Sequence, residues 1–321
     1  MRRRALDLRR VIGGVRRLAG PRLWPGLAFT VGMVVHLGGC VASSPSGPVA
    51  TGEPQGGAPG VFVSAEQVSA LPGAVLIDVR GIWAYRGGHL PGAVRAPWDD
   101  FVDGRLTGRL SPVDGIVLRL RALGVRQDAP VVVYGAWNEG WGEEGRLYWM
   151  LDYLGHPDVR ILYGGFARWQ TLGLPTESGG AAAVVEGDFV ASTRRSVRAE
   201  VGDVQRRMEA HHGLLDVRSD DEWGGATPYW SERGGHIPTA VHWPWRRVFD
   251  PHADLRSPEA LRAELAALGV ETDQEVVSYC VGGVRSGFVF AVLRWLGYSQ
   301  PRSYDGSWWE WAARRDLPVA R

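Results

Sequence analysis

The sequence predicts two copies of an α/β domain, each built on a parallel sheet with helices on both faces. Three observations support this prediction: a set of motifs that occurs twice in the same order, short apolar runs bounded by Gly and Pro, and longer helical patterns between those runs. Continuous apolar strands that alternate with helices are typical of parallel sheets buried on both faces. The chain has 321 residues, 45% of them hydrophobic, and so has room for two such cores.

The repeat is visible in several pairs of segments. LIDVR ending at Arg80 returns as LLDVR ending at Arg218, and RGGHLPGA beginning at Arg86 returns as RGGHIPTA beginning at Arg233. ALGV followed by APVVVYG in the first copy matches ALGV followed by QEVVSYC in the second. Solenoid proteins repeat with a period of about 20–50 residues. The matching segments here are much farther apart in the sequence, so they indicate duplicated domains.

In chain order, strands are predicted for VLIDV, PVVVYG and VRILYG in the first copy and for LLDVR and EVVSYC in the second. The helical patterns RLYWMLDYL and SPEALRAELAALG lie between them, the latter with Ser257 as N-cap and Pro258 at the first helical position. We place the two domains at residues 61–180 and 181–321. Reactive groups in such sheets lie just past the carboxyl ends of strands, and Cys280 follows EVVSY directly.

Residues 1–60 are predicted to be a signal and a tether. Residues 1–40 contain an Arg-rich segment, an uncharged stretch from 23 to 39, and Cys40, an order typical of a secretory signal. The ending LGGC resembles a bacterial lipobox, in which Cys40 is lipid-modified; the alternative is an uncleaved membrane anchor. Residues 41–60, rich in Gly, Pro, Ser and Ala, are predicted to be a flexible tether. We therefore expect an exported protein of the bacterial cell envelope, lipid-anchored and facing the periplasm.

Charge and composition exclude several functions. The net charge is +1, but the first 22 residues hold eight Arg, so the rest of the chain is net negative and a poor candidate for nucleic-acid binding. All 36 basic residues are Arg. Without Lys, the chain can be neither a Schiff-base enzyme nor a protein with a phosphate loop ending in Gly-Lys-Ser/Thr.

Cys280 is predicted to be a reactive thiol. If Cys40 is lipidated, Cys280 has no intramolecular disulfide partner, which is unusual in an exported protein. CVGGVRS reads as a strand-to-helix turn in which two glycines let backbone N–H groups converge, and a helix beginning near Ser286 points its positive end at the same place. Such a nest lowers a thiol pKa, and Arg285 adds a positive charge for an anionic substrate. The alternative is a small buried core Cys.

The motifs DVRS, GGHIPTA, CVGGVRS and YDGSWWEW, in this order, resemble those of the rhodanese sulfurtransferase family. The tandem repeat is similar to the two-domain members, the thiosulfate and 3-mercaptopyruvate sulfurtransferases. The resemblance covers residues 61–321 and implies two domains, each a five-stranded parallel sheet with helices on both faces. It implies that Cys280 takes a sulfane sulfur as a persulfide from a small anionic donor and passes it to a thiol, cyanide or protein acceptor.

In this resemblance the loop amides would cradle the transferred sulfur, Arg285 would hold the donor anion, and no metal or organic cofactor is needed. The residues assigned to substrate binding are those of the loop and one further Arg: Val281, Gly282, Gly283, Val284, Ser286 and Arg233. The loop CVGGVR differs both from CRKGVT of the thiosulfate enzymes and from CG-S/T-GVT of the mercaptopyruvate enzymes, so it does not identify the donor. Glu222 replaces an Arg that binds substrate in the thiosulfate enzymes, which argues against thiosulfate; Arg233 and Arg285 are candidates to compensate.

The first copy lacks a nucleophile, since Gly135 stands where Cys280 stands in the second. Its loop GAWNEGWGEEGR instead carries Glu139, Glu143 and Glu144. We interpret this copy as a non-catalytic structural or partner-facing domain with an acidic, solvated loop; a metal site in the loop is the alternative.

Residues that recur in both copies are interpreted as structural, because the first copy has no Cys. They are His89 and His236, and the two Asp-x-Arg pairs Asp78–Arg80 and Asp216–Arg218. Trp243 and Trp245 are assigned to the core rather than to a pocket wall.

Two rival functions are considered. A protein phosphatase on the same fold would have five residues between Cys and Arg, but only four separate Cys280 from Arg285. The other rival is a non-enzymatic sulfur-carrier or binding module that docks through the Cys-less domain.

Overall fold

The structure is a computed structural model that describes residues 54–180 and 183–321. It contains two five-stranded, all-parallel sheets, which confirms the predicted tandem α/β fold. The first sheet consists of β1 Phe62–Val63, β2 Val75–Asp78, β3 Val94–Arg95, β4 Val131–Tyr134 and β5 Val159–Leu162, in the spatial order β1-β5-β4-β2-β3. The second consists of β6 Arg198–Ala199, β7 Leu214–Asp216, β8 Val241–His242, β9 Glu275–Tyr279 and β10 Gln300–Tyr304, in the order β6-β10-β9-β7-β8. The two orders are the same, as duplication requires.

Helices cover both sheets. The first domain has α1 Ala65–Ser69, α2 Ile82–Gly87, α3 Val113–Ala122, α4 Glu143–Tyr153 and α5 Gly165–Thr171. The second has α6 Val201–Glu209, α7 Asp220–Trp223, α8 Pro258–Ala267, α9 Val284–Trp295 and α10 Ser307–Ala313. Helix α8 begins as predicted, because the Ser257 hydroxyl accepts a hydrogen bond from the Ala260 N–H and Pro258 needs no donor at that position.

The central strands β4 and β9 form the middle of the two cores. Every residue of β4 and four of the five in β9 are buried, as expected for strands covered on both faces. At the ends of the neighbouring strands β2 and β7, Arg80 and Arg218 make bidentate hydrogen bonds to Asp78 and Asp216 respectively. The recurring Asp-x-Arg motif is therefore an internal brace, as predicted.

The two domains meet along α4 and α9, which pack backbone to backbone. A Cβ atom on Gly145 of α4 would lie 2.2 Å from Cα of Phe288, and one on Gly287 of α9 would lie 2.7 Å from Cα of Arg146. Since neither position tolerates a side chain, the two glycines set the closest approach of the helices. Around this contact the apolar side chains of both domains merge into one continuous core.

Two connecting segments depart from the predicted boundaries. Residues 183–194, placed in the second domain, run along the first: the Ser192 N–H donates to Leu154 and Phe189 is fully buried. The end of the predicted tether also packs on the protein, because the Ala58 N–H donates to the Trp295 carbonyl at 2.7 Å. A Cβ on Gly57 would overlap the Trp295 ring, so a glycine is needed there.

Residues 1–53, which include the predicted signal and Cys40, lie outside the described residues. Across the part of the chain that is described, no helix is long and apolar enough to cross a bilayer.

Candidate active site

Cys280 lies at the carboxyl end of β9, where the sequence places it. Its side chain is at the base of a cavity, and the residue is only 1% exposed. The Cys280 N–H donates to the Ser307 hydroxyl at 3.1 Å, and its carbonyl accepts from the Trp308 N–H at 3.0 Å. The first residues of α10 thus hold the Cys280 backbone in place.

The loop after Cys280 depends on its two glycines. Gly283 has φ +81°, a left-handed conformation that favours glycine, and forms the N-cap of α9. A Cβ on Gly282 would lie 2.2 Å from the Trp309 ring, and one on Gly283 would lie 2.3 Å from Nη1 of Arg146. The loop is therefore packed tightly from both sides, with α9 beginning at Val284.

The surroundings of Cys280 favour its thiolate. Burial raises the pKa of the thiol, but the positive charge of Arg285 and hydrogen bonds from the Ser286 and Gly282 backbones and the Ser286 hydroxyl outweigh burial. The net pKa lies below the ordinary value for a thiol. A depressed thiol pKa is what nucleophilic cysteines share, so this geometry suits a nucleophile better than an inert core Cys.

Arg285 faces the cavity, but its charge is already paired. Its guanidinium donates two hydrogen bonds, at 2.6 and 2.8 Å, to the two carboxylate oxygens of Glu222, and both side chains are buried. Glu222 is fixed in turn by Ser219 at the start of α7. Glu222 is therefore the partner of Arg285, a role that the sequence did not reveal.

The cavity has a volume of about 180 Å³ and lies between the two domains. Its walls are mostly aromatic: Trp98 and Trp141 come from the first domain, and Tyr229 and Trp309 from the second. The Trp309 indole N–H donates to the Tyr229 carbonyl at 2.8 Å, and the Trp141 N–H donates to a Glu143 carboxylate oxygen at 2.8 Å, so the walls are held in place. None of these four residues was predicted. Trp98 occupies the repeat position of Trp245, which is buried in the core, so the repeat gave no sign that Trp98 lines a cavity.

The structure brings most of the predicted site residues together. Val281, Gly282, Val284 and Arg285 line the cavity with Cys280, Gly283 caps α9, and Ser286 interacts with the thiol. Trp243 and Trp245 are buried in the core, as predicted.

The assignment of Arg233 to substrate binding is wrong. Its guanidinium donates to four backbone carbonyls of the C-terminal segment, those of Trp311, Ala312, Arg314 and Leu317. Arg233 is not among the residues that line the Cys280 cavity. Its role is to satisfy carbonyl groups at and after the end of α10.

Arg233→Ala is expected to lower the free energy of unfolding by at least about 2 kcal/mol, because four carbonyls lose a charged donor. Urea unfolding followed by Trp fluorescence measures this. Arg315→Ala is the control, since Arg315 is exposed and forms a long ion pair with Glu232, at 3.4 Å. Equal unfolding midpoints for the two variants would contradict this stabilising role of Arg233. Altered reactivity of Cys280 in Arg233→Ala would show that Arg233 does contribute to the site.

The two recurring histidines make local structural contacts. The His89 ring stacks on Tyr85 with Nδ1 2.9 Å from the Tyr85 carbonyl, and the His236 ring stacks on Trp223 with Nδ1 3.2 Å from the Trp223 carbonyl. These parallel arrangements in both copies agree with the structural interpretation.

The corresponding loop of the first domain is not the solvated acidic loop that the sequence predicts. Glu139 is exposed, but Glu144 is completely buried, and neither of its carboxylate oxygens has a hydrogen-bond partner within the part of the chain that the structure describes. Burial and the nearby charge of Glu143 raise the Glu144 pKa to about 8. A Cβ on Gly135 would lie 2.4 Å from Glu144 Oε2, so this carboxyl occupies the space that a Cys side chain would need. Among residues 54–180 and 183–321, no group of His, Cys, Asp or Glu could hold a metal ion.

Arg146 of the first domain contacts the reactive loop of the second domain. Its guanidinium donates to the Gly283 carbonyl at 3.4 Å and to the Gly108 carbonyl at 2.5 Å. Burial lowers the Arg146 pKa to about 10, opposed by the charges of Asp305 and Cys280. The Leu110 N–H of the first domain also donates to Asp305 at 2.9 Å. Through Arg146 and Leu110, the Cys-less domain thus contacts the reactive loop and Asp305 of the second domain.

Arg146→Met is expected to shift the alkylation of Cys280 to higher pH, because a positive charge near the thiolate is lost and the loop loses a brace. The rate of carboxamidomethylation across pH 5–10 or so measures the midpoint. Arg146→Lys keeps the charge and should move the midpoint less, while Arg109→Met, half exposed at the surface, should leave it unchanged. An unshifted midpoint in folded Arg146→Met would show that Arg146 does not influence the thiol.

The fold and the site together define a class of protein: a duplicated α/β domain in which a Cys of lowered pKa lies in a strand-to-helix turn of the second copy. The model of the rhodanese-like domain matches residues 64–172 and 200–314, so the chain belongs to the rhodanese family and carries two such domains. It is a sulfurtransferase enzyme, as its relatives indicate.

Three of the proteins that resemble this chain bear on its function. The sulfur carrier protein TtuD of Thermus thermophilus is 34% identical over 75% of this chain and 88% of the relative. A thiosulfate sulfurtransferase of Pseudomonas aeruginosa is 32% identical over 77% of this chain and 91% of that protein. The crystal structure of SseA from Escherichia coli, described as a 3-mercaptopyruvate sulfotransferase, is 30% identical with a TM-score of 0.67, covering 76% of this chain and 95% of that one.

Proposed function

We propose that this sulfurtransferase carries a sulfane sulfur as a persulfide on Cys280, taking it from a small anionic donor and passing it to a thiol or cyanide. The observation that supports this most directly is the buried Cys280 thiol, whose pKa is lowered by Arg285 and by the Ser286 and Gly282 hydrogen bonds. The thiolate attacks the outer sulfur of the donor, a new S–S bond forms, and the donor leaves with the electron pair of the broken bond.

Thiosulfate and 3-mercaptopyruvate represent the donor class. Sulfite leaves from the former; from the latter the carbon–sulfur bond breaks and the thiol proton ends on carbon, giving pyruvate. Arg285 uses two of its five N–H donors on Glu222, so others remain to hold a donor oxygen at the cavity wall. The loop amides and the N-terminus of α9 favour the negative charge on the outer sulfur.

The test is the intact mass of the protein before and after each donor. Wild type is expected to gain the mass of one sulfur atom and to lose it again on addition of cyanide. The Cys280→Ser variant is expected to gain no mass. Folded protein with a titratable thiol that gains no sulfur from either donor would refute the proposal.

A second candidate is a persulfide carrier that serves protein partners without turning over small donors. The similarity to a relative named as a sulfur carrier favours it. Steady-state production of thiocyanate from donor and cyanide separates the two: sustained turnover supports the enzyme acting on small molecules, and a single charging event supports the carrier.

We further propose that the chain is exported and lipid-anchored through Cys40. The support is the order of Arg-rich segment, uncharged stretch and LGGC in the sequence. In a bacterial host, the full chain is expected in the membrane fraction labelled by a fatty acid, and Cys40→Ala is expected to lose the label. An unlabelled wild-type chain would contradict lipidation.

A further inference from the structure

We propose that the Cys280 cavity selects sulfur donors with an apolar or aromatic body and no more than one negative charge, in preference to thiosulfate. This inference rests on the proposed persulfide function and names the substrate class of the same site. Two independent properties of the cavity support it: the charge on its walls and the nature of its lining.

The cavity offers little to balance a dianion. Of the described residues that line it, Arg285 is the one with a cationic side chain, and Glu222 already neutralises it through two hydrogen bonds. The Cys280 thiolate adds a negative charge at the base. Thiosulfate brings two charges into this space, and burying a charge that has no partner is costly. A monoanion needs only the loop amides and the remaining Arg285 donors.

The lining is suited to a ring. Trp141 and Tyr229 meet edge to face with their centroids 5.6 Å apart, and Trp98 and Trp309 complete the walls. An apolar cavity of roughly 150 Å³ is known to bind benzene, and this one measures about 180 Å³. Aromatic rings also attract one another in the edge-to-face and offset arrangements that such walls offer. The space therefore fits a sulfur donor with an arene or alkyl body.

Two of the four rings belong to the Cys-less domain, so that domain contributes to donor choice. Trp141 is 47% exposed, directly precedes the N-cap of α4, and lies against Arg285 with 5.6 Å between the guanidinium carbon and the ring centroid. Because Trp141 is part of the cavity rim rather than the core, it can be replaced without removing core packing.

Three donors of matched chemistry test the proposal: benzenethiosulfonate, methanethiosulfonate and thiosulfate. In each, the Cys280 thiolate attacks the outer sulfur, the bond to the oxidised sulfur breaks, and benzenesulfinate, methanesulfinate or sulfite leaves with the electron pair. No further oxidant or reductant is needed. The rate of sulfur gain by mass is divided by the rate of the same donor with free cysteine, which removes intrinsic reactivity.

The normalised rates are expected to fall in the order benzenethiosulfonate, methanethiosulfonate, thiosulfate. Trp141→Ala is expected to reduce the benzene-over-methane preference by about two- to tenfold, the range of one aromatic contact, and Trp141→Phe to retain most of it. Trp83→Ala is the matched control, because Trp83 is a more exposed Trp of the same domain that does not line the cavity.

Persulfide formation from all three donors, with no preference or with one that Trp141→Ala leaves intact, would overturn the inference while the proposed function stands. Failure of every donor to transfer sulfur to the folded protein would overturn both.

Discussion

Arg285→Leu is expected to destabilise the protein by about 3–5 kcal/mol, because it leaves Glu222 as a buried carboxylate without its partner. Burial raises the Glu222 pKa, but the hydrogen bonds and charge of Arg285 lower it more, so the wild-type group is ionised. Without Arg285, Glu222 must either keep an uncompensated charge or bind a proton. Urea unfolding at neutral pH measures the loss as a lower midpoint.

Two further variants make this result interpretable. Arg285→Leu combined with Glu222→Leu removes both charges and is expected to recover most of the stability, since a buried ion pair can often be replaced by apolar groups. In both variants the alkylation of Cys280 should move to higher pH, because the positive charge that lowers the thiol pKa is absent. A double variant no more stable than Arg285→Leu would show that the pair is not the origin of the loss.

Glu144→Gln is expected to change how stability depends on pH. The folded-state pKa of Glu144 is about 8, above the value of 4.5 for an unperturbed Glu. Between these values the folded protein holds a proton that the unfolded chain has lost. The free energy of unfolding of wild type should therefore fall as pH rises from 4.5 to 8, by on the order of 4 kcal/mol.

The Gln variant cannot ionise, so this fall should be absent from it. Unfolding curves of wild type and variant between pH 5 and pH 9 or so give the difference directly, and other titrating groups cancel in the comparison. Glu139→Gln, in the same loop but exposed, is the control and should follow wild type. A constant difference between wild type and Glu144→Gln across this range would contradict the raised pKa.

The longer strands could be predicted because their residues are apolar and adjacent in the chain. The predicted runs contain β2, β4, β5, β7 and β9. The remaining strands of the two sheets could not be identified in this way, since β1, β3, β6 and β8 have two residues each. Strand β10 is longer, but Gln300, Pro301 and Arg302 interrupt its apolar pattern. In the structure Arg302 pairs with acidic side chains, and the buried Ser303 hydroxyl contacts that of Ser286.

The reactive loop could be predicted because its chemistry is local. Cys280, its glycines and Arg285 lie within six consecutive residues at a strand end, so sequence order gives their spatial relation. The pairing of Arg285 with Glu222 spans 63 positions, and the sequence indicated only that a negative charge had appeared near the site. Such a partner can be identified only when the start of α7 is placed beside the loop.

The cavity walls and the buried Glu144 were missed for a related reason. Trp98 and Trp141 reach the site from the other domain, and the glycine contact that packs α4 of that domain against α9 has no pattern of its own in the sequence. Three Glu in a Gly-rich loop are typical of a solvated segment. The start of α4 at Glu143 turns Glu144 inward, and this register could not be read from composition.

The shared cavity has a consequence for how this protein can evolve. The first domain has Gly135 at the position of Cys280, yet it supplies Trp98 and Trp141, half of the aromatic wall of the cavity. If Cys280 is the nucleophile, as proposed, substitutions at Trp98 or Trp141 would alter the range of accepted molecules while leaving Cys280, its loop and Arg285 intact. Under the proposed function, duplication would separate reactivity from selectivity: the reaction would constrain the second domain, and the first would be free to adapt to a new sulfur source.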